Sequence, residues 1–320
     1  MKFKHTFHVF VDNFGITYKQ LLYRLVVLLA AGIVLYFSIT PFINGFLPEL
    51  NNLISNAVDF ALKLLNGKVD ELTTISVRVQ EAYAAFIDLI HSKTTDIVVV
   101  IIIFTVIYLI AAFLNGLGNY AAATCINDKM ALRANSPFLS SLIKNLKQAA
   151  AFNAIYVPLT FLYEAAVAVA MFFFVFYLIN SIVPFFVCVF LFVLIIVFSA
   201  VLKYTFTCDW LPAIIRGKMG PLKALKYTFS IKRKDTLSVL SNFIVLVLII
   251  FGVNVAAFFC TLGVGLLITV PSSAVLIAAF YMVNYYDREE IKYFVDQNTI
   301  IKPAKEHTPT REEFFRGADE

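Results

Sequence analysis

Charge, histidine and cysteine are all scarce in this chain. Only 15% of the 320 residues are Asp, Glu, Lys or Arg, where an ordinary soluble domain carries about 25%. Low charge with high hydrophobicity excludes a disordered chain, which needs the reverse. The four cysteines, Cys125, Cys188, Cys208 and Cys260, form no CxxC pair and have no histidine beside them, so the usual zinc patterns are absent. Four histidines, His5, His8, His91 and His307, leave little from which to build a general acid or base. His5 and His8 are three apart, but two ligands without a third carboxylate or thiol make a poor metal site. There is no HExxH and no GxSxG, and Gly217-Lys218 lacks the glycine-rich turn that precedes the lysine of a Walker loop. The expectation is a protein that is not an enzyme and uses no cofactor or metal.

What the chain has in quantity is apolar surface. Sixty per cent of its residues are apolar, 33 are Phe, and the mean hydropathy is +0.83. One soluble core of this size could not hide so much, which leaves the bilayer as solvent. Because hydrocarbon satisfies no bare backbone, each crossing is expected as a helix of roughly 20 apolar residues. Charge-free runs cover 25–48, 97–127, 165–202 and 236–286. The last two are long enough for hairpins, turning around Asn180, Ser181 and Pro184 and around Cys260 to Gly265. The fold class is therefore all-α: a polytopic membrane protein with six transmembrane helices over about 25–46, 97–117, 158–179, 183–203, 238–260 and 264–285.

Basic residues in short loops set orientation. Lys2, Lys4, Lys19 and Arg24 precede the first span, Lys129, Arg133, Lys144 and Lys147 fill the second connection, and eight more between Lys203 and Lys234 fill the fourth. These sixteen are expected inside. The connection over 46–96 carries four basic residues against seven acids, and the third and fifth carry no charge. The expected topology is N-in/C-in, in the cytoplasmic membrane of a bacterium. No cleavage site follows the apolar run after its 24-residue polar lead, so the opening is not read as a signal peptide.

Three segments lie outside the bilayer in this reading. Residues 1–24 are expected as an amphipathic interfacial helix, with Phe3, Phe7, Phe10, Val11, Phe14, Tyr18, Leu21 and Leu22 on one face. Residues 48–92 read as an external amphipathic hairpin, with Leu50, Leu53, Ile54, Ala57, Val58 and Ala61 on one stripe and Leu72, Ile75, Val79, Tyr83, Phe86 and Ile90 on the other. The two stripes are expected to pack on each other, with the membrane surface or a protein partner as alternatives. Residues 287–320 form a charged tail with nine acids against six bases. A short helix is expected from Asp287, and a solvated tether past Lys302-Pro303 offers Phe314 and Phe315 to a partner.

The second half carries signs of duplication. Tyr120, Thr124 and Cys125 precede Ser136-Pro137-Phe138, while Tyr204, Thr207 and Cys208 precede Gly220-Pro221-Leu222, with offsets of 83 and 84 residues at two separate anchors. Each repeat would be an interfacial helix followed by a membrane hairpin, entering from the same side. The run Pro212-Ala213-Ile214-Ile215, followed by Gly220-Pro221-Leu222-Lys223-Ala224-Leu225-Lys226-Tyr227-Thr228-Phe229, resembles a signature of poorly characterised bacterial multi-pass membrane proteins. These are loosely similar to the membrane domain that accompanies glycerophosphodiester phosphodiesterases. Thr228 stands where the pattern expects Ser, the match covers about 25 residues, and no phosphodiesterase domain is present. The resemblance implies a membrane architecture and carries over no catalytic residue.

Ionisable groups within a span are functional candidates by default. Glu164 is the one this sequence offers, close enough to the inner boundary to pair with a loop lysine. Asn254, Ser272 and Ser273 complete the intramembrane polar set, beside a kink expected at Pro271. Arg216, Lys218, Lys223, Lys226, Lys232, Arg233 and Lys234 are candidate contacts for anionic headgroups of the inner leaflet. The net charge of +5 comes from these loops and calls for no nucleic acid. The function expected is a non-enzymatic scaffold, accessory or lipid-interacting membrane protein. The alternative is a permease or channel subunit with its path between the repeated hairpins.

Overall fold

The computed structural model describes residues 2–66, 69–132, 136–179, 185–230, 236–295 and 299–301. In chain order the helices are α1 (Lys2–Asp12), α2 (Gly15–Ile43), α3 (Leu47–Leu65), α4 (Val69–Ser92), α5 (Thr94–Leu132), α6 (Phe138–Lys144), α7 (Leu146–Ile179), α8 (Phe185–Thr207), α9 (Trp210–Ile215), α10 (Pro221–Ser230), α11 (Thr236–Thr261) and α12 (Leu266–Arg288). A short antiparallel pair follows, β1 (Tyr293–Phe294) with β2 (Ile300–Ile301), in which Tyr293 faces Ile301. Helices α2, α5, α7, α8, α11 and α12 are long and apolar enough to cross a membrane.

Four of them run well past the apolar stretch that marks them. Helix α2 starts at Gly15 rather than near 25, α5 continues to Leu132 rather than 117, α7 starts at Leu146 rather than 158, and α8 ends at Thr207. Fifteen extra residues add about 22 Å of helix. Charge and amides in these extensions do not prevent helix formation, because there the backbone bonds to itself while side chains pack on neighbours.

The chain divides into two compact units: Val26–Ala112, and the residues up to Leu25 together with those from Phe113 onward. In the first, α3 and α4 pack side by side. Ile75 and Ala82, seven residues apart on α4, are buried, whereas Ile54, Val58, Leu62, Val77 and Tyr83 remain more than half exposed. The stripes thus meet over only part of their width.

The second unit holds the packed core. Ala121, Ala122, Ala123 and Ile126 of α5, Trp210 and Ala213 of α9, and Met282, Val283 and Tyr286 of α12 are all buried in one cluster. A second cluster joins Val201 of α8 and Phe243 and Leu246 of α11 to Phe280 of α12. Half of the apolar window of α12 is buried, against 0% in α5 and 17% in α11, so α12 is the most buried of the six. Elsewhere the spans present their apolar side chains outward, with Phe190, Phe198, Leu248 and Phe259 exposed, as expected where lipid is the solvent.

Two local expectations change. The helix expected over 3–22 is divided by a turn at Asn13, whose side-chain amide donates to the Val9 carbonyl at 2.8 Å and competes with the helical ladder. Thr6, Val9, Asn13, Ile16, Thr17 and Gln20 point inward, Phe3 and Phe10 pack against the core, and Phe7, Val11, Tyr18 and Leu22 of the same expected stripe are exposed. Second, no helix begins at Asp287. Helix α12 carries on to Arg288, Glu290 takes a left-handed φ of 52°, and the Ile291 amide bonds back to the Tyr286 carbonyl at 2.9 Å. Buried Tyr293 then enters the core and donates its hydroxyl to Asp287 at 2.8 Å. Residues 302–320, including Phe314 and Phe315, lie outside the described residues, as do Asn180 to Pro184.

Candidate functional site

Large apolar and aromatic residues line an open groove between α7 and α8. On α7 the positions Tyr163, Val167, Ala170, Met171 and Phe174 recur every three or four residues and so share one face. Leu191, Leu194, Ile195, Phe198 and Leu202 do the same on α8. Between the two faces runs an open, apolar groove of about 630 Å³. A smaller recess of about 300 Å³ adjoins it, sharing Tyr163, Val167, Met171 and Ser199, and adds Glu164 and Lys203.

Glu164 pairs with Lys203, a lysine expected in the fourth connection but held within α8. Its carboxylate accepts from Lys203 Nζ at 2.6 Å, from a residue still within α8. The pair is only partly withdrawn from solvent, with the Lys203 side chain 21% and that of Glu164 40% exposed. Tyr163 donates to the Ser199 carbonyl at 2.9 Å, and Lys203 Nζ also lies 5.6 Å from the centroid of the Tyr204 ring. One end of the groove is thus ionic and the rest is hydrocarbon.

The other intramembrane candidates separate. Asn254 donates to Ser273 Oγ at 3.2 Å and accepts from Thr269 Oγ1 at 2.7 Å, clasping α11 to α12. Ser272 is not part of this clasp and donates to its own helix at the Ile268 carbonyl. Thr269 is the member that the sequence reading missed; its signal is the position one turn before Ser273. Pro271 lies inside α12 as expected.

Of the basic candidates, Lys218, Lys223 and Lys226 are exposed, and exposed Arg216 stacks its guanidinium 5.4 Å from the Tyr286 ring. Lys232, Arg233 and Lys234 lie outside the described residues. On α10 the exposed lysines alternate with exposed Leu222 and Phe229. The run that contains α9 and α10 folds as a corner: Trp210 is buried and its indole donates to the Pro221 carbonyl at 2.9 Å. A Cβ at Gly217 would lie 2.5 Å from the Ala213 carbonyl, so the corner closes only with glycine there.

No family model, curated protein or solved structure matches this chain. Function has to be argued from the sites themselves.

A buried ion pair also escaped the sequence reading. Asp209, at the start of α9, pairs with Arg288 at the end of α12, and Asn284 donates to the same carboxylate at 3.4 Å. Arg288 lies 5.7 Å from the ring centroids of both Tyr227 and Tyr285. This cluster ties the corner to α12. Cys125, Cys208 and Cys260 keep their thiols, and the side chain of Cys188 is outside the described set. Among the described residues no group of His, Cys, Asp and Glu gathers as metal ligands; His5 instead bonds Tyr293 through Nδ1 at 3.1 Å.

Proposed function

We propose that the chain is a non-enzymatic, lipid-binding protein of the cytoplasmic membrane, crossing it six times with both termini inside, and that the groove between α7 and α8 holds a phospholipid. The observation that carries this reading is the match in chemistry along the groove. An acyl chain suits the stretch from Val167 to Phe174 and from Leu191 to Phe198, while Lys203 and Glu164 offer a cation to a phosphate and a carboxylate to a headgroup amine. Ligand sites are generally apolar clefts with a few polar groups at defined places, and this groove has that composition. The basic, partly apolar outer face of α10 supports headgroup contact at the same membrane face.

The family resemblance and the repeat belong to the same proposal. Cys125 Sγ contacts the Ser136 carbonyl at 3.4 Å, and the Trp210 indole contacts the Pro221 carbonyl. Each bond spans eleven residues: the first joins α5 to the residue two before α6, and the second joins the start of α9 to the start of α10. Their acceptors, Ser136 and Pro221, lie at or just before the starts of α6 and α10, where the duplicated anchors place the two interfacial helices, and this supports two copies of one unit. For the permease alternative, the mutual bonding of Asn254, Thr269 and Ser273 supports structural glue rather than a pathway.

Native mass spectrometry of the protein in its own lipids, compared with Lys203→Met and Met171→Trp, tests the reading. The wild-type protein is expected to retain about one phospholipid per chain after delipidation, and both variants to lose it, one through the headgroup and one by filling the groove. Wild-type protein that keeps no lipid, or variants that keep the same one, would contradict the assignment.

A further inference from the structure

A second feature of the unit that holds the core is polar where it should be dry. Asn13, just ahead of α2, and Thr17, Gln20 and Arg24 within it are spaced by four, three and four residues, which places them on one stripe. That stripe faces α5, where Gln20 Nε2 and Arg24 Nη2 both donate to Asn119 Oδ1, at 2.6 and 2.8 Å. One turn earlier on α5 lies Asn115, and beside it Gly116 abuts Asn153 of α7, so closely that a Cβ would sit 2.0 Å from Asn153 Oδ1. Asn13, Thr17, Gln20 and Asn153 are each at most 3% exposed. Yet Asn13 Oδ1, Thr17 Oγ1, Gln20 Oε1, Arg24 Nε, Asn115 Oδ1 and Asn153 Oδ1 are buried without any hydrogen-bond partner in the protein.

Buried polar groups are almost always satisfied, by protein, water or an ion. A single cation does not fit the demand. The unpaired atoms are distributed along α2, where Thr17 to Arg24 alone span about 10 Å of helix axis, and the guanidinium of Arg24 stands among them. An anion would face four amide oxygens. Water both donates and accepts, makes about three bonds per molecule in such places, and can be repeated along a seam. We propose that the seam between α2, α5 and α7 holds a file of buried waters that hydrates Arg24 where α2 passes toward its apolar stretch. Asn254 of α11 is satisfied by the Thr269 and Ser273 hydroxyls of α12, so this seam, and not the clasp around Asn254, is where water is called for.

Radiolytic hydroxyl-radical footprinting tests this, because radicals form wherever water is bound, including inside a protein. Full-length protein in lipid nanodiscs is irradiated, and oxidation is read at Ile16, Leu117 and Tyr120, which flank the seam, and at Phe243, Leu246 and Phe280, which form the apolar cluster. All six are buried. The seam residues are expected to oxidise faster than the apolar cluster after correction for intrinsic side-chain reactivity, and the near-isosteric Thr17→Val, alone and with Asn153→Leu, is expected to reduce that rate while leaving the cluster protected. Continued protection of Phe243 and Phe280 reports that the variants are folded. Equal protection of both regions in the wild-type protein would overturn the proposal. So would seam protection that changes when sodium and potassium are replaced by choline, since the site would then belong to a cation.

Discussion

Gly116 and Asn153 show how one missing Cβ sets the distance between two helices. Asn153 is wholly buried and its amide donates to the Ala149 carbonyl at 2.9 Å, which limits its freedom to move aside. Gly116→Ala is therefore expected to destabilise the protein by about 1–3 kcal/mol, read as a lower unfolding temperature, with partial recovery when Asn153→Ala is added. The two ion pairs differ by burial. Asp209 and Arg288 have side chains 8% and 14% exposed, so Asp209→Asn leaves the guanidinium only its longer, 3.4 Å ion pair with Glu289 and is expected to cost about 3 kcal/mol. Glu164 is far more exposed, and Glu164→Gln is expected to cost about 1 kcal/mol or less. Equal losses in thermal unfolding would contradict this ordering. Glu164 could be picked out from the sequence because it interrupts an apolar run. Asp209 and Arg24 could not, because each lies at the edge of a run, where a charge is ordinary. What would have marked Arg24 is the polar stripe it completes with Thr17 and Gln20.

Helix α1 shows why an amphipathic pattern alone does not fix which face is buried. Aromatic residues on a helix point inward when water is outside. Here α1 packs against α12, and Phe7 and Val11 are left to lipid while Thr6 and Val9 turn in. Its docking has a pH dependence. Burial lowers the His5 imidazole below its ordinary value, aided by Lys4, His8 and the amino terminus and opposed by Asp287. The folded state thus favours neutral His5, so its contribution is complete above about pH 6.5 and is lost as pH falls below that. Amide exchange in α1 is expected to quicken at pH 5.5 relative to pH 7.5, after correction for intrinsic rates, and His5→Asn should flatten the change. An α1 whose corrected protection is the same at both pH values would contradict this. The lengthened helices have a similar origin. Ala121–Ala123 and the amides of α5 read as a fading span, but alanine is the best helix former and lets neighbours approach closely, so the helix persists and becomes the core.

Across the whole molecule, the six long helices were legible because hydrocarbon makes a simple demand: about 20 apolar residues without charge. What they form beyond that length depends on partners distant in sequence, as with Tyr286 reaching Asn127 or His5 reaching Tyr293, and periodicity carries no record of such contacts. The groove was hidden for the same reason, since Val167 and Leu194 look like any other lipid-facing residues until α7 and α8 are side by side. The account depends most on how many times the chain crosses and on which face its ends lie. Cysteine accessibility measures this directly, using Ser55→Cys, Ser140→Cys and Ser230→Cys in turn, with the native cysteines replaced by alanine and a membrane-impermeant maleimide as the probe. Six crossings with both ends inside predict that Ser55→Cys is labelled on intact cells, and that Ser140→Cys and Ser230→Cys are labelled only in inverted vesicles. Labelling of Ser140→Cys and Ser230→Cys from opposite faces, or of either on intact cells, would contradict it.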